Sequence, residues 1–263
     1  PAMARTPLPM QLAPRKPTGT IRIVFLGGAA AMGDPEPALG APRVLQALLE
    51  LKFPGQQFEV INAAMTGINS HVVREIARDC APLQADVWIV YLGNNEVVGP
   101  FGAGTVFGGQ SPPLGIVRAI FWLKQFRVVQ WVSSWGDRPT ADWAGMELFL
   151  KQQVTHDDPR LKRVYGNFRE NLADIVKVGN QAGAKVILST VAVNLQDSPP
   201  FASQSGTSLD SAAKAEFETT LARGIALTDA REFVSAEKLL SELQQRAVAR
   251  NAATDAGLYY QLA

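Results

Sequence analysis

The chain holds one cysteine, Cys80, and two histidines, His71 and His156, among 263 residues. A single thiol excludes an internal disulfide and a cysteine-built metal site. It leaves the compartment open, because a large core does without cross-links in oxidising surroundings too. Charge of one sign is also missing. Lys and Arg total 25 against 24 Asp and Glu, a net +1, so the overall balance carries no sign of a nucleic-acid partner or an anionic membrane. No run approaches the roughly 18 uncharged apolar residues of a membrane span. No signal peptide opens the chain, where Pro1-Ala2-Met3 resembles the scar of a cleaved tag, and natural sequence upstream is expected. What is present is ordinary for a protein with a sizeable core: 47% hydrophobic and 19% charged residues.

Residues 1–19 are proline-rich and basic without periodicity, which reads as a linker or tag remnant. Order begins at Ile21-Arg22-Ile23-Val24-Phe25-Leu26, a short apolar run closed by Gly27-Gly28, the pattern of a buried parallel strand entering a tight turn. Leucines at 45, 48, 49 and 51 mark a helix face over 43–52. Residues 58–61 read as a second strand, 71–80 as a second helix and 86–92 as a third strand. After an insertion over 100–158, residues 163–182 are helical and 185–191 form a fourth strand. Alternation of this kind predicts an α/β fold, a flavodoxin-like three-layer sandwich around a parallel sheet. Ligands of such sheets bind beyond the carboxyl ends of the strands. The loops to inspect are therefore 27–33, 62–70, 93–101 and 194–205.

Within the insertion, residues 114–132 carry Ile116, Val117, Ile120, Phe121, Trp122, Leu123, Phe126, Val129 and Trp131 between three basic residues. The plain reading is a helix covering the core; the sharper one is a lid or an interfacial helix. Residues 199–210 break the α/β pattern. Beyond them, Phe217, Leu221, Gly224, Ile225, Phe233, Ala236, Leu239 and Leu240, followed by Gly257, Leu258, Tyr259 and Tyr260, have a small-and-large spacing. It resembles a tetratricopeptide repeat of about one and a half units. Such units need neighbours, and the pattern stops without a cap, so the chain is expected to continue past Ala263. The domains expected are an α/β domain over 20–205 and a truncated helical segment over 206–263, the latter offering a surface to a protein partner.

Three loops carry the chemistry. The first is Gly27-Gly28-Ala29-Ala30-Ala31-Met32-Gly33-Asp34-Pro35, the second Asn62-Ala63-Ala64-Met65-Thr66-Gly67-Ile68-Asn69-Ser70, and the third Gly93-Asn94-Asn95-Glu96. Together, and in this order after three strands, they resemble the SGNH (GDSL-like) serine hydrolases. The segments 33–37 and 94–102 resemble a bacterial subfamily in which such a domain is interrupted by tetratricopeptide repeats. The resemblance implies a serine nucleophile where this chain has Ala29. It implies oxyanion donors at the Ala29 amide, the Gly67 amide and the Asn95 side chain, with Gly28, Asn94, Glu96 and His71 at the substrate. Glu96 replaces the family's usual aspartate. Donors aimed at the developing oxyanion supply a large share of acyl-transfer catalysis.

Two parts of that machinery are absent. No serine stands at position 29, and no Asp-x-x-His block is present to supply a base. Ala29 has two readings, an engineered serine-to-alanine change or a natural pseudoenzyme; the intact oxyanion motif, without use otherwise, favours the first. His156 reads as a solvated loop residue, and His71 as a helix-start residue on the surface or facing the site. Singly, Gly67 is a turn glycine and Asn95 a turn asparagine. Gly27, Gly28 and Gly33 lack the spacing of a dinucleotide fingerprint, so no cofactor is expected. Asp34 with Glu36 and Asp157 with Asp158 read as solvated pairs, so no metal is expected. The function implied is an SGNH-type esterase or acyl-transfer domain acting on a small-molecule or carbohydrate ester, with an O-acetyl group as one candidate. It would be inactive as it stands, and soluble. An extracytoplasmic location, membrane-anchored in the full-length protein, is implied with it. The alternative is a non-catalytic module that binds a ligand or a protein.

Overall fold

The computed structural model describes residues 8–13, 15–105, 110–134, 154–155, 158–194, 200, 209–250 and 255–262. His156 and Asp157, and most of the loop 194–205, lie outside them. Two compact units divide the chain, 1–191 and 192–263.

In the first unit β1 (Thr20–Gly27), α1 (Ala29–Met32), α2 (Ala41–Lys52), β2 (Gln57–Asn62), α3 (Ser70–Cys80) and β3 (Val87–Tyr91) follow in turn. Then come α4 (Leu114–Leu123), α5 (Arg127–Ser134), α6 (Arg160–Gln181) and β4 (Lys185–Ser189). The four strands form a parallel sheet in the order β2-β1-β3-β4. Side chains alternate across it with the two-residue period of a strand. Val24, Leu26, Ile61, Trp88 and Val90 point to a core shared with Val73 and Ala77 of α3 and Ile175 of α6. Phe25, Val60, Ile89 and Tyr91 meet Ala31, Met32 and Leu45 of α1 and α2 on the other face. The fold is the α/β three-layer sandwich the alternation predicts.

One member of the β1 run departs from apolar expectation. Arg22 is 1% exposed; its Nε donates to Glu59 Oε2 at 2.5 Å and an Nη to the Leu83 carbonyl at 2.5 Å. A buried guanidinium persists only with such partners, and this one ties β1 to β2 near the end of the sheet away from the glycine turn. The expectation of a core-covering helix over 114–132 is corrected. Two helices with a turn at 124–126 replace it, and among its described apolar residues only Val117 is buried. Among the described residues no helix is long and apolar enough to cross a membrane.

The second unit is helical. Its α7 (Ser211–Asp229), α8 (Phe233–Ala249) and α9 (Ala256–Leu262) enclose Phe217, Leu240, Leu243, Ala247 and Leu258. Asp210 caps α7 through the Ala213 amide at 2.8 Å, and Asp255 caps α9 through Leu258 at 2.9 Å.

Candidate active site

The chain runs from β1 to β2 on one side and then returns to place β3 on the other, so the carboxyl ends of β1 and β3 form the switch point of the sheet. At Gly27 the backbones pass so closely that a Cβ would sit 2.3 Å from the Tyr91 carbonyl oxygen. Gly28 then serves as N-cap of the one-turn helix α1, and Ala29 is its first residue, half-buried. A side chain at 28 would start 3.2 Å from Asn95 Nδ2 and 3.5 Å from the Ile68 carbonyl. The loop after β2 reaches this point through Gly67, whose φ of 73° is a left-handed conformation suited to glycine. Asn95 Nδ2 donates to the Ile68 carbonyl at 3.0 Å. A carboxamide nitrogen has two protons, and this bond uses one of them.

These loops are tied to one another. Asn62 Nδ2 donates to the Met32 carbonyl at 2.9 Å and Thr66 Oγ1 to Asp34 Oδ2 at 2.8 Å, joining the loops that follow β1 and β2. Behind Asn95 lies a buried polar chain. Glu96, 5% exposed, accepts from the Ser70 amide at 2.8 Å and from Ser70 Oγ at 2.7 Å. Its carboxylate therefore sits at the N-terminus of α3, where negative charge is favoured; burial nevertheless raises its pKa above the usual carboxylate range. Asn171 of α6 donates to Ser70 Oγ at 3.0 Å and lies 2.9 Å from His71 Nδ1. The His71 ring is 6% exposed and stands edge-on to Phe101, centroids 5.7 Å apart. Burial, with Arg118 and Arg74 adding to it, lowers its pKa to about 4.

The structure thus brings Gly28, Asn95 and the Gly67-Ile68 turn together, leaves Asn94 exposed beside them, and turns Glu96 and His71 inward. His71 as a surface residue is corrected: the second position of α3 faces α6, and its ring is buried. Glu96, expected at the substrate, is buried, and each of its oxygens accepts from Ser70. Sequence reasoning missed Ser70 and Asn171 as members of the network. A signal existed for Asn171, because Asn167 and Asn171 interrupt a helix stripe otherwise formed by Leu161, Val164 and Ile175. Among the described residues no cluster of His, Cys, Asp and Glu is arranged to hold a metal. Of the acidic residues read as solvated pairs, Asp34 accepts from Thr66, and Asp158 is paired with Arg160 at 2.6 Å. Cys80 is buried, its thiol pushed up to about 11, mainly by burial.

No family model matches the chain, and no curated protein does. Solved structures do. TesA aligns over 64% of this chain and 58% of its own, at 15% identity and a TM-score of 0.35. The SGNH-hydrolase family esterase AlinE4 aligns over 65% of this chain and 77% of its own, at 16% and 0.30. The acetyl xylan esterase AlAXEase aligns over 64% and 77%, at 16% and 0.33. The chain spans less than two thirds of TesA. Likeness at this level carries no argument about activity.

Proposed function

We propose that the α/β unit is an SGNH-type acyl-transfer site whose nucleophile position is Ala29, with a small acyl ester as substrate and a carbohydrate O-acetyl group as the leading candidate. One observation carries the reading: Asn95 Nδ2 and the Gly28 turn meet at the switch point of the sheet. In the reaction so read, a serine Oγ at position 29 adds to the acyl carbonyl, and its proton passes to a base. The oxyanion rests on the Ala29 and Gly67 amides and Asn95. Collapse expels the alcohol, which leaves with the proton. His71 does not serve as that base, because its Nδ1 is already an acceptor for Asn171 and its ring is buried. The extracytoplasmic location and the role of the helical unit as repeat-type protein-binding surface belong to the same reading.

The test restores the missing group. Ala29→Ser, assayed with a chromogenic acetyl ester in imidazole buffer to stand in for the base, is expected to gain hydrolysis and fluorophosphonate labelling. Adding Asn95→Ala should lower that gain about 100-fold, the scale of one lost oxyanion donor. Serine-hydrolase rates from the chain as it stands, or a gain indifferent to Asn95, overturn the proposal. A second reading, a ligand-binding module without catalysis, is favoured by alanine at 29 together with the burial of His71; a silent Ala29→Ser supports it.

A further inference from the structure

The outward side of α4 has no polar residue. One side of this helix is spent on the body of the α/β unit. Val117 is 1% exposed, Arg118 pairs with Asp174 of α6 at 2.9 Å, and Phe121 stands edge-on to Phe101 at 5.9 Å. At 100° per residue the opposite side presents Gly115, Ile116, Ala119, Ile120, Trp122 and Leu123. Of these, Ile116 is 53% exposed, Trp122 58% and Leu123 43%. The surface continues through Phe126, packed edge-on against Trp122 with centroids 4.9 Å apart, to Val128, 70% exposed, and Trp131, 58% exposed, on α5. Lys124 and Arg127, both exposed, sit at the turn between the helices. No aspartate or glutamate occurs between Glu96 and Asp137. The balanced charge of the whole chain therefore conceals a local segment of one sign. Glu75 and Asp79 of α3 share a groove with Lys124 and Gln125; Glu75 is taken by Arg74 and Arg78, while Asp79 remains an acid in that groove, and Arg127 lies outside it.

We propose that α4 and α5 are a membrane-contact surface that lies in the headgroup region of a bilayer containing anionic phospholipid. Three features select this occupant over a protein. Tryptophan and phenylalanine beside cations is the composition of the water–hydrocarbon boundary. Lys124 and Arg127, with no acid in their own segment, complement phosphate headgroups. Helices of 10 and 8 residues are too short to span and long enough to lie flat. By contrast, the exposed Leu48 and Leu51 of α2 neighbour Glu50 and carry no tryptophan, and nothing commits them to an occupant. The inference stands independently of the esterase reading, since none of its residues belongs to that site.

Flotation of the full chain with vesicles decides it. Binding to an equimolar phosphatidylglycerol–phosphatidylcholine mixture is expected, weakening with salt and accompanied by a blue shift of tryptophan emission. Each cation near an anionic leaflet changes partitioning about fivefold, so Lys124→Gln with Arg127→Gln should weaken binding about 25-fold. Trp122→Ser with Leu123→Ser, on an exposed face, should abolish it while leaving the circular dichroism melt unchanged. No flotation with the anionic mixture overturns the proposal, as does equal flotation by both double variants. A concentration-dependent dimer dissolved by Trp122→Ser with Leu123→Ser, without vesicle binding, would assign the surface to a second copy instead.

Discussion

The ring nitrogen Nδ1 of His71 lies 2.9 Å from the amide nitrogen of Asn171, which has only protons to offer. Directionality then propagates. Asn171 gives one proton to His71 and one to Ser70 Oγ, and Ser70 Oγ gives its own to Glu96, so His71 is neutral with its proton on Nε2. Protonating Nδ1 would set donor against donor, which agrees with a pKa of about 4 caused first by burial. The unfolded histidine titrates near 6.5, so between those values the unfolded chain binds more protons and stability decreases as the pH is lowered. The expected loss is about 2 kcal/mol by pH 5 and roughly 3 kcal/mol by pH 4. Glu96 acts with the opposite sign: its raised pKa makes its contribution decline as pH rises. Urea unfolding at pH 7 and pH 5 should show the His71 loss in the parent chain and its absence in His71→Gln. Equal losses would mean that the ring is protonated in the folded protein.

Elements were legible where their chemistry is local. The run Ile21–Leu26 with its glycine turn became β1, and strands β2, β3 and β4 start within a residue of where apolar β-branched runs begin. Less legible was anything decided by a partner far along the chain. Arg22 reads as an interruption of an apolar run, and only Glu59 and Leu83 explain its burial. His71 opens a helix, where solvent exposure is the default; α6, a hundred residues later, removes it from water. The residues 114–132 read as one core-covering helix because periodicity reports an apolar face without saying whether anything covers it. The loops bearing Gly28, Gly67 and Asn95 were placed by pattern, but the contact between Asn95 and Ile68 needed the structure. The glycine turn also has an energetic consequence at this scale. A methyl at 27 would meet the Tyr91 carbonyl oxygen and Ala31 Cβ, at 2.3 and 2.4 Å. Neither the backbone oxygen nor a methyl fixed in α1 is the far end of a flexible chain, so the strands must part. Gly27→Ala is expected to cost at least about 1–3 kcal/mol, the usual range for overpacking. Its urea midpoint is the check, and an unchanged midpoint would show that β1 and β3 are held less closely.

On the scale of the molecule, each unit buries its own apolar residues. The core around Trp88 and Ile175 belongs to residues 1–191, and that around Phe217 and Leu240 to residues 192–263. Separate cores allow separate unfolding. The sequence supplies a spectroscopic handle for this, because all five tryptophans, at 88, 122, 131, 135 and 143, lie in the first unit. The emission change as Trp88, fully buried in the sheet core, meets water therefore follows the α/β unit, while far-ultraviolet circular dichroism at 222 nm follows both units. Leu240, 1% exposed, lies against Gly224 at the heart of the helical unit. Its truncation to alanine removes buried methyls and leaves a cavity, a change that costs about 2–5 kcal/mol. If the units unfold independently, Leu240→Ala lowers the helical part of the dichroism transition and leaves the tryptophan transition where it was. If instead both transitions fall together, the two units are one cooperative structure, and the helical segment contributes directly to the stability of the sheet that carries Gly28 and Asn95.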